Sequence, residues 1–104
     1  MLTNINNVAF IQGDIMGIKI DQLPQGLKKR EGNIIVRGES TGNHHSLLGG
    51  SVFERGEELY LQVIQPIGEV VHQEHNPIEL PAGNYRVVRQ RQYKKEDMTE
   101  LVVD

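Results

Sequence analysis

The histidines are the residues of this chain that are best suited to chemistry. All four fall in two short segments, Thr41-Gly42-Asn43-His44-His45 and His72-Gln73-Glu74-His75. Imidazole is the most common side-chain ligand of transition metals in proteins, and its charge changes near neutral pH. Two ligand pairs delivered by separate strand ends could form a tetrahedral site or a site with one open position. The sequence therefore predicts a histidine site that binds a divalent metal.

The predicted ligand set takes residues from both segments. Alternate residues of a strand share a face, so Asn43 and His45 would point to one side and His44 to the other. The second segment is polar and is soon followed by a proline, so a turn there could bring its two imidazoles to one side. The expected ligands are His45, His72 and His75, with Asn43, His44 or Glu74 as a fourth ligand or as a partner that orients a ligand.

The composition limits which metal and which chemistry this site could support. There are no cysteines, so disulfides, thiolate ligands and a cysteine nucleophile are excluded. With nitrogen and oxygen ligands only, zinc is the expected ion, while nickel, iron and manganese stay open. If the site were catalytic, Glu74 could act as general base on a metal-bound water. Histidines that are simply solvated or hydrogen-bonded, and a catalytic site without metal, are the other open interpretations.

The pattern of apolar residues predicts an all-β domain that would position the histidines. Short β-branched and leucine-rich runs alternate with glycine, proline and asparagine, and turn signals recur about every 8–12 residues, which is typical of a small sandwich or barrel. A chain of 104 residues has room for a single domain. We therefore predict one β domain over residues 1–104, with an N-terminal extension at 1–7 and a short C-terminal tail at 94–104.

Individual runs indicate where strands and turns should fall. Ile34-Ile35-Val36 leads to the first histidine segment, and Glu69-Val70-Val71-His72 delivers the second. Turns are expected at Gln65-Pro66-Ile67-Gly68 and at Pro81-Ala82-Gly83-Asn84, because proline and glycine interrupt the apolar runs there. The longest predicted strand covers residues 85–93, and the tail after it could form a helical turn.

The charge and hydropathy of the chain bear on its partners and location. The net charge of −3 argues against a nucleic-acid partner, even though residues 85–95 mix arginine, lysine and tyrosine. No apolar run approaches the roughly 20 residues of a membrane span, and the first residues lack the pattern of a signal peptide. We expect no membrane partner, but self-association or a protein partner that supports the thin core of a short chain. The expected location is the cytoplasm, or a virion assembled there.

Three blocks of the sequence resemble a small uncharacterised family found in bacteria and their phages. The family pattern is Thr-Gly-His-x-His, then His-x-Glu-His-x-Pro-Ile-x-Leu-Pro-x-Gly-x-Tyr, then an Arg-Gln-Arg-Glu-Tyr strand. This chain departs from the pattern at Asn43, where the family has its first histidine, so the resemblance implies His45, His72 and His75 as the site. The blocks that carry the resemblance are Thr41-Gly42-Asn43-His44-His45, His72-Gln73-Glu74-His75-Asn76-Pro77-Ile78-Glu79-Leu80-Pro81-Ala82-Gly83-Asn84-Tyr85 and Arg89-Gln90-Arg91-Gln92-Tyr93.

Three functions are compatible with the sequence. The first is a small non-catalytic metal-binding β domain, a bacterial or phage accessory protein in which the ion clamps the fold. The second is a structural or decoration protein of a phage virion, a role that suits a compact β domain. The third is a metal-dependent hydrolase or isomerase that uses Glu74 as its base. The first and the third differ at the fourth metal position, which a structural site closes and an enzyme leaves open. A virion protein would instead bury its termini or its strand at residues 85–93 against neighbouring subunits.

Overall fold

The computed structural model describes residues 7–38 and 42–89, and these form an antiparallel β-structure. No α-helix occurs among the described residues, which confirms the predicted all-β class. Within these same ranges, no helix has the length and hydropathy needed to span a bilayer. The strands are β1 (Val8–Gln12), β2 (Ile15–Ile20), β3 (Lys28–Lys29), β4 (Ile34–Arg37), β5 (His44–Leu48), β6 (Gly50–Arg55), β7 (Glu58–His72) and β8 (His75–Arg89).

The strands form one sheet that curls into a half-barrel rather than two sheets of a sandwich. The order along the main path is β1-β2-β8-β7-β5-β4, and β6 pairs with both β7 and β3. The centre of this path is a long hairpin in which β7 and β8 contain 15 residues each. Its turn lies between His72 and His75, so the second histidine segment occupies the tip of the main hairpin.

Two turns predicted from proline and glycine are wrong. The chain stays in β7 through Gln65–Gly68 and in β8 through Pro81–Asn84. The β7–β8 register shifts between Val63 and Ile67, and Ile67 then lies opposite Pro81. A bulge accommodates a residue without a backbone N–H, so these prolines bend the hairpin without ending its strands. Of the predicted strand at 85–93, residues 90–93 lie outside the described residues, as do 1–6 of the extension and the tail at 94–104.

The core is built mainly from aliphatic side chains on the two faces of the curled sheet. Ile15 and Met16 are adjacent in β2 but belong to different buried clusters, because successive residues of a strand point to opposite faces. Tyr85 is buried within the larger cluster, and its hydroxyl donates to the carbonyl of Pro81 at 2.6 Å. The larger cluster comprises Phe10, Ile15, Ile35, Val36, Leu47, Val52, Leu61, Val63, Val70, Leu80, Tyr85 and Val87.

The curl of the sheet brings the β1–β2 turn against the tip of the β7–β8 hairpin. By register, Ile15 at the start of β2 pairs with Arg89 at the far end of β8. The side chain of Gln12, just before the turn, nevertheless donates to the carbonyls of Val70 and Asn76 near the hairpin tip. Gln12 therefore ties the end of β1 across the half-barrel to the segment that carries His72 and His75.

Candidate functional site

Three of the four histidines lie together at one corner of the half-barrel. His45 comes from β5, His72 ends β7 and His75 begins β8. The ring centres of His45 and His72 are 4.4 Å apart, and those of His72 and His75 are 4.6 Å apart. His45 and His75 are 6.3 Å apart and nearly parallel, with 14° between their ring planes. The structure thus brings together the three residues that the sequence placed in the site.

The buried amide of Gln12 determines which nitrogen of His45 carries hydrogen. Its Nε2 donates to Val70 O at 3.0 Å and to Asn76 O at 2.9 Å, which uses both amide hydrogens. Its Oε1 lies 2.9 Å from Nδ1 of His45 and can only accept. Nδ1 must therefore carry the hydrogen, and Nε2 of the neutral ring is left with a lone pair. Gln12 orients the imidazole for interaction through Nε2.

The Asp14 carboxylate faces that same nitrogen of His45. Its Oδ1 lies 3.1 Å from Nε2, with the imidazole almost fully buried and the carboxylate largely exposed. Burial, the largest effect, lowers the pKa of His45 below its usual range, although the hydrogen bond with Asp14 acts in the opposite direction. With His45 neutral and its hydrogen on Nδ1, its Nε2 and the Asp14 carboxylate oxygen face each other as two acceptors, and a proton or a cation between them would make this contact favourable.

His72 has the opposite hydrogen arrangement. The backbone N–H of Glu74, in the hairpin turn, donates to Nδ1 of His72 at 3.0 Å. A backbone amide can only donate, so Nδ1 holds the lone pair and the hydrogen of the neutral ring lies on Nε2. Burial, followed by the nearby His75, lowers the pKa of His72 and favours this neutral form. The side chain of Glu74 itself is exposed, and its contact with His72 is made by its backbone.

Gly13 provides the space into which two of the rings pack. It has a φ of 56°, a left-handed conformation that favours glycine. A Cβ at this position would lie 2.7 Å from Nε2 of His75 and 3.3 Å from Cε1 of His45. The β1–β2 turn can therefore approach the histidines only because it lacks a side chain at this residue.

His44 and Asn43, the alternative ligands in the prediction, have different surroundings. His44 lies against Gln73: its backbone N–H donates to Oε1 at 2.8 Å, and its ring lies beside the Gln73 amide nitrogen. The carbonyl of Asn43 accepts a hydrogen bond from the N–H of Gly38 at 2.7 Å. His44 thus contacts the β7–β8 turn and Asn43 contacts the residue that follows β4, while the ring contacts of the corner join His45, His72 and His75.

The side chains of the corner are close enough for a metal site but are not arranged as one. Among the described residues, no group of three or more His, Asp or Glu side chains is placed so that it could hold a metal ion. Zinc–nitrogen bonds of about 2.0–2.1 Å put ligating ring centres roughly 5 Å apart in a tetrahedral site. The observed spacings of 4.4, 4.6 and 6.3 Å lie on both sides of that value. Metal binding would therefore require these side chains to rotate from their observed positions.

Sequence reasoning missed Gln12 and Asp14. The available signal was a polar residue between the apolar run of β1 and a Gly-Asp turn, a position where a buried amide would need several partners. Those partners are distant in the chain, so the pattern alone could not identify them.

One comparison with known proteins gives a family. A family model described as a domain of unknown function, DUF8820, matches residues 11–90. The matched segment includes Gln12, Asp14 and all three clustered histidines. The match confirms the coarser part of the resemblance, that of an uncharacterised family. No curated protein and no solved structure matches the chain.

Proposed function

Because the chain belongs to the DUF8820 family, whose description assigns no function, we propose its function from the corner itself: a small metal-binding β domain. The site takes one divalent transition ion, and zinc is the expected metal. We also propose the bacterial or phage context of the family, which rests on the resemblance of its histidine blocks. The ion would stabilise the fold without catalysis by this domain.

The observation that carries the proposal is the pair of acceptors formed by His45 and Asp14. Gln12 holds the hydrogen of His45 on Nδ1, and Nε2 lies 3.1 Å from the Asp14 carboxylate. Burial lowers the pKa of His45, so a proton is a poor neutraliser of this contact at neutral pH. A divalent ion bound by both atoms would replace the unfavourable contact with two ligand bonds. His72, whose ring centre lies 4.4 Å from that of His45, and His75, which packs against the Gly13 turn, are the further proposed ligands.

Such an ion would join three parts of the fold that are distant in the chain. Asp14 lies in the β1–β2 turn, His45 in β5 and His75 at the start of β8. An ion bound to the folded form alone stabilises it by about 2.7 kcal/mol when its free concentration is a hundred times Kd. For a domain of 104 residues this is a large fraction of an ordinary total stability. A structural role is therefore sufficient to explain the site.

Metal content and metal affinity test the proposal directly. Protein purified without an affinity tag should contain, or take up, about one zinc ion per chain by elemental mass spectrometry. Asp14→Asn preserves the shape of an exposed side chain and removes its charge, and we expect it to weaken zinc binding by about tenfold or more. His44→Asn is the matched control, because His44 is next to His45 but contacts Gln73. Absence of metal after zinc is offered, or equal losses in both variants, would contradict the proposal.

An assembly role is a second candidate, and exposed apolar side chains favour it. Leu48, Ile64 and Ile67 are 45%, 68% and 59% exposed. The backbone N–H groups of Ile64 and Gln65 both donate to Gly49 O, which holds the bulge of β7 beside the end of β5. Self-association or a protein partner, including a role as a virion structural or decoration protein, would cover such a surface.

The assembly candidate is tested by oligomeric state. Ile64→Ser combined with Ile67→Ser should convert an oligomer to a monomer in sedimentation velocity experiments, with zinc content unchanged because neither residue lies at the histidine corner. A wild-type chain that remains monomeric at high concentration would eliminate self-association. The assembly role would then require a partner protein of a different sequence.

A further inference from the structure

We infer that the cavity between β4 and the end of β8 binds a short apolar peptide with free ends, a di- or tripeptide with an ammonium at one end and a carboxylate at the other. This β4–β8 cavity has a volume of about 740 Å³. Its lining contains none of the residues of the histidine corner, so the inference goes beyond the proposed function and does not depend on a metal.

The first step is the shape of the cavity. Three parts of the chain line it: residues 30–37 in β4 and the loop before it, the β6–β7 turn at Gly56 and Glu57 with Leu59 beside it, and residues 87–89 at the end of β8. Pockets for drug-sized ligands measure about 300–1,000 Å³ and occur in the mouths of β-barrels. The volume is therefore large for a single amino acid and suits a ligand of two or three residues.

The second step is the apolar part of the lining. Ile34 and Leu59 are half-buried, so each offers apolar surface to a ligand in the β4–β8 cavity. Ile35 and Val87, which also line it, are almost fully buried members of the larger core cluster. A ligand that covers Ile34 and Leu59 would remove apolar surface from water and would contact a wall that the core holds in place.

The third step is charge. Among the charged side chains of the lining, Arg37, Glu31 and Glu57 form no ion pair with another described residue. Arg37 belongs to β4 and Glu57 to the β6–β7 turn, so charges of opposite sign lie on separate walls of the cavity. An anion alone would meet the Glu57 carboxylate, and a cation alone would meet the Arg37 guanidinium. A ligand with a carboxylate for Arg37 and an ammonium for Glu57 uses both.

The fourth step is the edge of β4, which distinguishes a short peptide from an added β-strand. Among the described residues, β5 is the only strand that pairs with β4. Arg30, which also lines the cavity, donates through one nitrogen to the carbonyls of Ile34 and Ile35, each at 2.8 Å, and through another to Glu54 at 2.9 Å. An extended chain that paired with β4 along these carbonyls would have to displace Arg30. The lining therefore favours a ligand that is held by its two ends and its side chains.

Isothermal titration of the full chain with four peptides tests the inference. Dileucine carries both charges and two apolar side chains, and each of the others lacks one feature: dileucine amide the carboxylate, N-acetyl-dileucine the ammonium and diglycine the side chains. We expect the wild type to bind dileucine and to bind each of the others about fivefold or more weakly. Arg37→Gln should bind dileucine and its amide equally, and Glu57→Gln should bind dileucine and its acetylated form equally. Glu31→Gln, which removes a charge elsewhere in the lining, is the control and should behave like the wild type.

The comparison of the four peptides on the wild type needs no variant and can by itself overturn the inference. A wild type that binds no dileucine, or that binds the amide and the acetylated form as tightly, contradicts it. If Arg37→Gln and Glu57→Gln keep both preferences of the wild type, the peptide does not bind in the β4–β8 cavity. If Glu31→Gln loses the preference for a free ammonium and Glu57→Gln keeps it, the role given to Glu57 is wrong. None of these outcomes bears on zinc binding at the histidine corner.

Discussion

Two networks of polar side chains join distant strands in this fold, and they differ in whether donors and acceptors match. In the first, Arg30 donates through one nitrogen to the carbonyls of Ile34 and Ile35, each at 2.8 Å, and through another to Glu54 at 2.9 Å. In the histidine corner, Gln12 is equally well satisfied, but His45 and Asp14 place two acceptors 3.1 Å apart. The three contacts of Arg30 each pair a donor with an acceptor, whereas the contact between a neutral His45 and Asp14 pairs two acceptors.

We propose that this difference separates a structural network from a binding site. Arg30 lowers the pKa of the Glu54 carboxyl by its hydrogen bond and its charge, so both partners are ionised at neutral pH and each stabilises the other. At the corner, burial lowers the pKa of His45 despite Asp14, so the partners do not neutralise each other. An arrangement that is unfavourable without a ligand is typical of functional sites, where stability is lost to gain binding. The four predictions that follow test this contrast.

The largest effect is expected for Gln12→Leu. The substitution removes the partner of the Val70 carbonyl and of Nδ1 of His45, both in buried contacts, and of the part-buried Asn76 carbonyl. We expect a loss of about 2–4 kcal/mol in the free energy of unfolding, measured by chemical denaturation of the metal-free protein. Zinc affinity should fall as well, because His45 can then rotate. Gln73→Ala, at an exposed glutamine beside His44, is the control, and equal losses in the two variants would refute the role of Gln12.

Gly13→Ala is expected to have the next largest effect. The left-handed φ of 56° costs an alanine about 1–2 kcal/mol, and its Cβ would also displace the rings of His75 and His45. Gly56→Ala is a matched control, since Gly56 has a φ of 60° and nothing within 4 Å of the added Cβ. Both variants should be destabilised, but only Gly13→Ala should lose zinc affinity in a competition titration with a chromophoric chelator. Equal zinc affinities would show that the turn does not shape the site.

These two variants also show how far the sequence could predict the molecule. The β class and the three histidines of the corner follow from strand-like runs and from the grouping of rare residues. Gln12 and Asp14 could not be identified, because the residues they contact are distant in the chain and are brought near only by the curl of the sheet. The turns predicted around Pro66 and Pro81 were wrong because a proline pattern does not distinguish a turn from a bulge. The sequence thus located the clustered histidines, and the topology supplied their partners.

Asp14→Asn should change the free energy of unfolding less than Gln12→Leu and Gly13→Ala do. At high pH it should increase stability rather than decrease it. Without metal at pH 8, the Asn amide can donate to Nε2 of His45 where the carboxylate could only accept, so we expect the variant to be more stable than the wild type by about 1 kcal/mol. Acid should reverse the order. The folded-state pKa of His45 is lower than the unfolded value of 6.5, so its contribution to stability is present above pH 6.5 and is lost as the pH falls.

Asp14 is the group that raises the pKa of His45, so its removal should make the acid loss larger. Thermal denaturation of the wild type and of Asp14→Asn, with chelator present and between pH 8 and pH 5, measures the pH at which their order of stability reverses. His44→Asn serves again as the control and should follow the wild type. A variant that is less stable than the wild type at pH 8 would mean that Asp14 and His45 already form a favourable ion pair, and the corner would then pair donors with acceptors as the arginine network does.

Glu54→Gln, in the arginine network, should have the smallest effect. Arg30 retains its bonds to the carbonyls of Ile34 and Ile35, and an ion pair near the surface contributes little by itself. The folded-state pKa of Glu54 is lowered, so its contribution is present above the unfolded value of 4.5 and disappears as the pH falls. The difference in Tm between variant and wild type should therefore shrink on acidification, and zinc affinity should not change at any pH. A change in zinc affinity would show that the two networks are coupled, and the stability of the arginine network would then depend on the metal.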